Sequence, residues 1–228
     1  MPKWEELDLP WPDEFEVSIN SGPTETAPSI AWAHAQAKSK LNSVACVCMS
    51  NRPVGSASVT VAGDSRPVWF AGSPMSVECF FRWLLAEYAE SPDNFETLAR
   101  SAFSKLRFVP DCFDGIKAMS KPCRQLAPDI VKHLGVLSDE GRQIFSKPWQ
   151  DAPARFGSLG IEISDENGNT KGNAKARSER EIAIDGASRL FWWHTKIEPH
   201  QDRIHISPDD VAAGEQIIVG IFCRHLTV

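Results

Sequence analysis

The sequence predicts an α+β protein with an N-terminal arm and small β-region, a central helical block and a C-terminal antiparallel sheet. Three observations carry this. Apolar residues recur at helical spacing between about 76 and 150. Period-two alternation takes over after Arg155. The connections between the last strands are short, which favours antiparallel neighbours. The chain has 228 residues, 42% of them hydrophobic and 24% charged, enough for one large domain or two small ones with real cores.

Residues 1–28 are acidic and carry Pro2, Pro10, Pro12, Pro23 and Pro28, with Trp4, Leu7, Leu9 and Trp11 among them. This reads as an extended arm that either docks its aromatics or stays disordered. Residues 29–228 then read as a single α+β domain. Ser29–Asn42 is alanine-rich and helical, with Pro28 and Ser29 as its start signal. Ser43–Met49 alternates cysteines with valine like a buried strand, Asn51–Pro53 makes a turn, and Ser56–Ala62 and Arg66–Ala71 read as further strands.

From Ser76 the period becomes helical, with Val77, Phe80, Phe81, Leu84, Leu85 and Tyr88 on one face. Ser91-Pro92-Asp93 opens a second helix, with Pro92 in its first turn. A helical piece spans about Asp111–Met119. Pro122 and Pro128 flank the next, and a short one runs from Ser138 to Phe145. The C-terminal sheet, about 157–226, is expected from strands at Ser158–Ile163, Glu179–Ile184, Leu190–Ile197, Arg203–Ser207 and Gln216–Arg224. The polar segment Asp165–Ala176 reads as a loop.

Composition excludes several classes. The net charge of −6 means that any nucleic-acid contact needs a local basic cluster. No run approaches the roughly 20 apolar residues of a membrane span, and the N-terminus lacks a secretory h-region, so a cytoplasmic protein is expected. Six cysteines without a CxxC pair suggest reduced thiols rather than a metal or disulfide framework. No phosphate-loop, nucleophile-elbow or dinucleotide motif is present. No cofactor is expected. Eight tryptophans suggest a protein interface, and the aromatic arm is its natural contact.

The chemistry-bearing residues gather at the end of the chain, where four of the six histidines fall between 194 and 225. Strand side chains alternate faces. Phe191, Trp193, Thr195 and Ile197 therefore take one side, and His194 and Lys196 the other. Ile204 and Ile206 oppose Arg203 and His205. Ile217, Val219, Ile221 and Cys223 oppose Ile218, Gly220, Phe222 and Arg224. With the apolar faces aligned, His194, Lys196, Arg203, His205 and Arg224 share one surface. Gly220 leaves room there for a ligand or another backbone, and His225 lies at the strand end. Imidazoles among fixed cations suit phosphate binding and proton transfer. A solvated structural face is the alternative, because Glu198, Asp202, Asp209 and Asp210 lie nearby. No carboxylate or thiol joins the histidines at ligand spacing, so no metal site is expected. Glu162, Asp165 and Glu166 form a separate acidic group beside the polar loop.

The order His194-x-Lys196, Arg203-Ile-His205-Ile, then Ile218-Val-Gly-Ile-Phe-Cys-Arg224-His225-Leu resembles the C-terminal strands of RelE/HigB-type toxin ribonucleases. The whole chain also looks like bacterial proteins ending in a WH-x-K…RIH…VG…HL pattern. The toxin resemblance covers 35–40 residues or so and would imply cleavage of RNA through its 2′-hydroxyl without metal. His194, His205 and Lys196 would be the catalytic groups, with His194 or His205 as base and acid. Lys196, Arg203, Arg224 and His225 would hold the phosphate. Acidity, length and a lone tyrosine, Tyr88, placed in a helix depart from that pattern. The expectation is thus a toxin-like or defence-related bacterial protein that cleaves or binds RNA. A non-catalytic subunit of a larger assembly and a phosphate- or nucleotide-sensing module are the alternatives.

Overall fold

A computed structural model describes residues 12–39, 44–49, 52, 54–198 and 201–228. It is α+β. The chain divides into two compact units, Met1–Phe80 and Phe81–Val228. Trp4, Leu7, Leu9 and Trp11 lie outside the described residues, as does most of the Asn51–Pro53 turn.

The first unit is a five-stranded sheet with a helix against it. Its strands are β1 (Glu16–Ile19), β2 (Glu25–Thr26), β3 (Ala45–Cys48), β4 (Gly55–Val61) and β5 (Asp64–Ala71), in spatial order β2-β1-β4-β5-β3. Part of the expected arm is therefore strand: β1 pairs with β4, placing Ser18 opposite Thr60. Helix α1 (Pro28–Ser39) buries Ile30, Ala31 and Ala33 against Val17, Val47, Val59, Val68 and Phe70. β3 is an edge strand, parallel to β5, with Val47 buried but Cys48 exposed. The unit boundary falls inside α2 (Pro74–Tyr88).

The second unit holds the expected helical block and sheet. α3 (Pro92–Ala102) begins at a capping box in which Asn94 returns a side-chain bond to the Ser91 backbone. α4 (Cys123–Phe145) is one helix where two were expected. Pro128 sits early enough to forfeit a single backbone bond without ending the helix. Next come α5 (Ala152–Ser158), β7 (Glu162–Asp165), α6 (Gly168–Gly172), α7 (Ala174–Ser178), β8 (Glu181–Ile184), β9 (Ala187–Leu190), β10 (Trp193–Lys196), β11 (Arg203–Ser207) and β12 (Ile217–Cys223). The main sheet runs β6-β12-β11-β10-β7, where β6 (Leu106–Phe108) is parallel to β12 and the other pairings are antiparallel. Sequence reading missed β6, a three-residue strand inside the helical block.

Helices and sheet meet in a core that includes Phe95, Phe113, Ile130, Leu134, Phe156, Ile204, Ile206 and Val219. Two glycines let helical segments approach the sheet closely. A Cβ on Gly115 would sit 1.9 Å from the Phe222 carbonyl oxygen, and one on Gly141 of α4 would sit 2.5 Å from Ile217 Cδ1. Residues 166–192 leave the edge of β7, build α6, α7 and the β8–β9 hairpin, and return to β10. The hairpin turns at Asp185 and Gly186, both at positive φ. Ile184 and Phe191 of this excursion pack on Ile218, with Ile221 alongside, so it covers the sheet face opposite α4.

Candidate functional site

β10 and β11 build most of the expected row. His194 is the register partner of His205, and Lys196 of Arg203. Across β10 the partners are Ser164 for His194 and Glu162 for Lys196. His194, Lys196, Arg203 and His205 therefore share one face, while Ile204 and Ile206 lie in the core with Trp193. Thr195, on that core side, accepts from Nδ1 of buried His133 at 2.5 Å and donates to the Glu162 carbonyl at 3.0 Å. A hydroxyl has one proton, so the second bond requires the His133 proton to sit on Nδ1. Burial first, then Lys132, pushes His133 down to about 4.

Arg224 and His225 do not join the row. Both are exposed and lie past the end of β12. The reason is a β-bulge: Ile221 faces His205 while Val219 faces Ile206, leaving Gly220 as the extra residue. Beyond it Phe222, not Ile221, enters the main core against Phe113, with ring centroids 5.0 Å apart. Strict alternation through 217–224, which set Arg224 beside His205, fails at this one position. Nor does Gly220 make room for a ligand: a Cβ there would lie 2.3 Å from Phe191 Cε1.

The row is also covered. His194 is 4% exposed and His205 0%. Their rings lie 5.1 Å apart at 40°. His205 Nδ1 is 3.0 Å from the Phe191 carbonyl and so must donate to it, which leaves the neutral ring's lone pair on Nε2. His194 Nε2 is 3.1 Å from Ser164 Oγ. Among the described residues, His194 Nδ1 and His205 Nε2 are buried without a hydrogen-bond partner. Burial, then Arg203 and Lys196, hold His194 down at about 3. Burial, then His194, hold His205 well below the ordinary imidazole range. Both rings are therefore neutral at pH 7, the form that binds metals.

Glu166, the first residue after β7, completes the cluster. Its side chain is 8% exposed and Oε1 lies 3.5 Å from His194 Nδ1. One ligand atom each from Glu166, His194 and His205 fall within 4.8 Å of one another. The same Oε1 accepts from Arg180 Nη2 at 2.8 Å, and the Arg180 side chain is 1% exposed. The expected acidic group thus splits three ways. Glu166 is buried here, Asp165 pairs with Lys171 at 2.6 Å, and Glu162 pairs with Lys196 at the surface. Sequence reading placed the strand at Ser158–Ile163, several residues early, which hid the register that brings Glu166 to the histidines. Arg180 carried no local signal, because its role depends on how the covering excursion folds back.

No family model, curated protein or solved structure matches the chain.

With the His194 proton on Nε2, donated to Ser164 Oγ, two imidazole lone pairs and a carboxylate make a donor set of two nitrogens and one oxygen. The Lys196–Glu162 pair, by contrast, is a surface contact and adds little energy.

Proposed function

We propose that the second unit binds one divalent transition-metal ion through Glu166, His194 and His205. The observation that carries this is the pair of buried, unpartnered imidazole nitrogens, His194 Nδ1 and His205 Nε2, set beside a buried carboxylate. Each such nitrogen costs about 1–3 kcal/mol when left unmade, and an ion held between them would remove that cost. Each ring's other nitrogen is already engaged, by Ser164 Oγ and by the Phe191 carbonyl, as is usual for ligating histidines. Nitrogen and carboxylate donors suit zinc and neighbouring first-row ions. Because all three side chains are buried, the ion would tie β10 and β11 to the start of the covering excursion, with its fourth position left to a water or another ligand, as in sites with three protein ligands.

The test is calorimetric titration of EDTA-stripped full-length protein with Zn²⁺, with metal content read by mass spectrometry. One ion per chain and a raised Tm are expected, both lost in His194→Ala and His205→Ala. Protein that takes up no stoichiometric ion and shows no Tm change contradicts the reading.

Metal-free RNA cleavage is the second reading. It is favoured by the common face of His194, Lys196, Arg203 and His205. It requires the 166–192 excursion to open, because both imidazoles are buried. Cleavage of RNA in the presence of EDTA, abolished in both histidine variants, would support it; intact RNA under those conditions counts against it.

A further inference from the structure

Arg180 already occupies the carboxylate that the proposed ion needs. Its guanidinium donates through Nη2 to Glu166 Oε1 at 2.8 Å. Through Nη1 it donates to the carbonyls of Ala176 at 3.0 Å and Thr227 at 2.9 Å. The oxygen that takes Arg180 is the one that faces His194 Nδ1 at 3.5 Å. An ion held by His194 and Glu166 Oε1 would therefore sit against the guanidinium, two positive groups in a dry site with little screening. Arg203 adds a further fixed charge, and among the described residues its Nη1 is buried without a hydrogen-bond partner.

We infer that Arg180 is an internal cation that competes with the metal for Glu166, so that metal loading displaces the guanidinium and loosens residues 224–228. This rests on the metal-binding reading above. The link to 224–228 is direct, since Arg180 Nη1 holds the Thr227 carbonyl. On the other side of that residue, Glu179 accepts from Thr227 N at 2.7 Å and from Oγ1 at 2.8 Å. Displacing Arg180 removes one of these two clasps. Metal affinity and the anchoring of the segment then oppose each other: whatever pins Thr227 weakens the site, and whatever fills the site weakens the pin.

The sign of one substitution separates a competitor from a positioning residue. If Arg180 competes, Arg180→Gln tightens Zn²⁺ binding by about tenfold or more, because a like charge leaves a low-dielectric site. If Arg180 merely orients Glu166 for the ion, the same change weakens binding. The experiment titrates full-length wild type and Arg180→Gln with Zn²⁺. In parallel it follows amide hydrogen exchange at 224–228 in the wild type with and without Zn²⁺, a readout that needs no variant to fold. Tighter binding in the variant and faster exchange at 224–228 on loading of the wild type support the inference. Wild-type binding with equal or weaker binding by the variant, and unchanged exchange, overturns it and leaves the metal reading standing. Binding by neither protein overturns both.

Discussion

His133 makes acid the most informative perturbation of the second unit. Its ring is 5% exposed and pushed down to about 4, whereas in the unfolded chain it titrates near 6.5. Because the folded value is the lower one, protonation favours unfolding. The stabilising contribution is complete above pH 6.5, shrinks as pH falls towards 4, and does not change further below that. A gap of about 2.5 pH units at 1.36 kcal/mol each gives a limit of about 3 kcal/mol, most of it spent by pH 4.5. His194 and His205 act with the same sign, so wild type alone cannot isolate the effect. The assay is urea unfolding of wild type and His133→Gln at steps from pH 7.5 to 4.5. Glutamine keeps a donor for Thr195 but does not titrate. The stability advantage of wild type over the variant should therefore shrink by about 2–3 kcal/mol across this range. A difference constant with pH would refute the argument, since it would mean that His133 binds its proton as readily in the fold as in water.

Further outcomes are expected elsewhere. Gly220→Ala should destabilise by about 1–3 kcal/mol or more by forcing a Cβ into the Phe191 ring, and Phe191→Leu in the same chain should recover part of the loss; a double-mutant cycle by chemical unfolding measures the coupling. Asp202 is fully buried and accepts from both the backbone N–H and the hydroxyl of Ser120, so Asp202→Ala should cost about 2–4 kcal/mol by leaving both donors unmade, read as a shift in the urea midpoint. Lys196→Ala should change stability by no more than about 0.5 kcal/mol in the same assay, because its partner Glu162 is largely exposed. Against the metal reading, His205→Ala should weaken Zn²⁺ binding at least ~100-fold by calorimetry, more than is usual for loss of a neighbour that only supports a ligand.

Most of the fold was legible because long periodic segments dominate it. The helical face at Val77–Tyr88, the Ser91-Pro92 start and the strand at Arg203–Ser207 all stand where the pattern put them. The failures share a cause: single residues whose meaning depends on a distant partner. Pro128 looked like a break, yet it falls where the helix loses only one bond. Asp165–Ala176 looked like a loop, yet Asn167 and Asn173 each cap a helical turn with their side chains. At the site, alternation gave the His194–His205 row and missed its third and fourth members. Glu166 and Arg180 sit outside any strand; the pairing of β7 with β10 brings in Glu166, and the folding back of the excursion brings in Arg180. Period-two alternation puts Arg224 in the row because it does not register a bulge of one residue.

The covering excursion has a consequence for how the molecule could be dismantled. Asp165 and Trp193 are register partners on adjacent antiparallel strands, so the chain departs and returns at nearly the same point. A tight two-residue turn could close that gap. The intervening residues are thus a cap spliced into a hairpin, and a chain shortened there would keep its main sheet while opening both imidazoles to water.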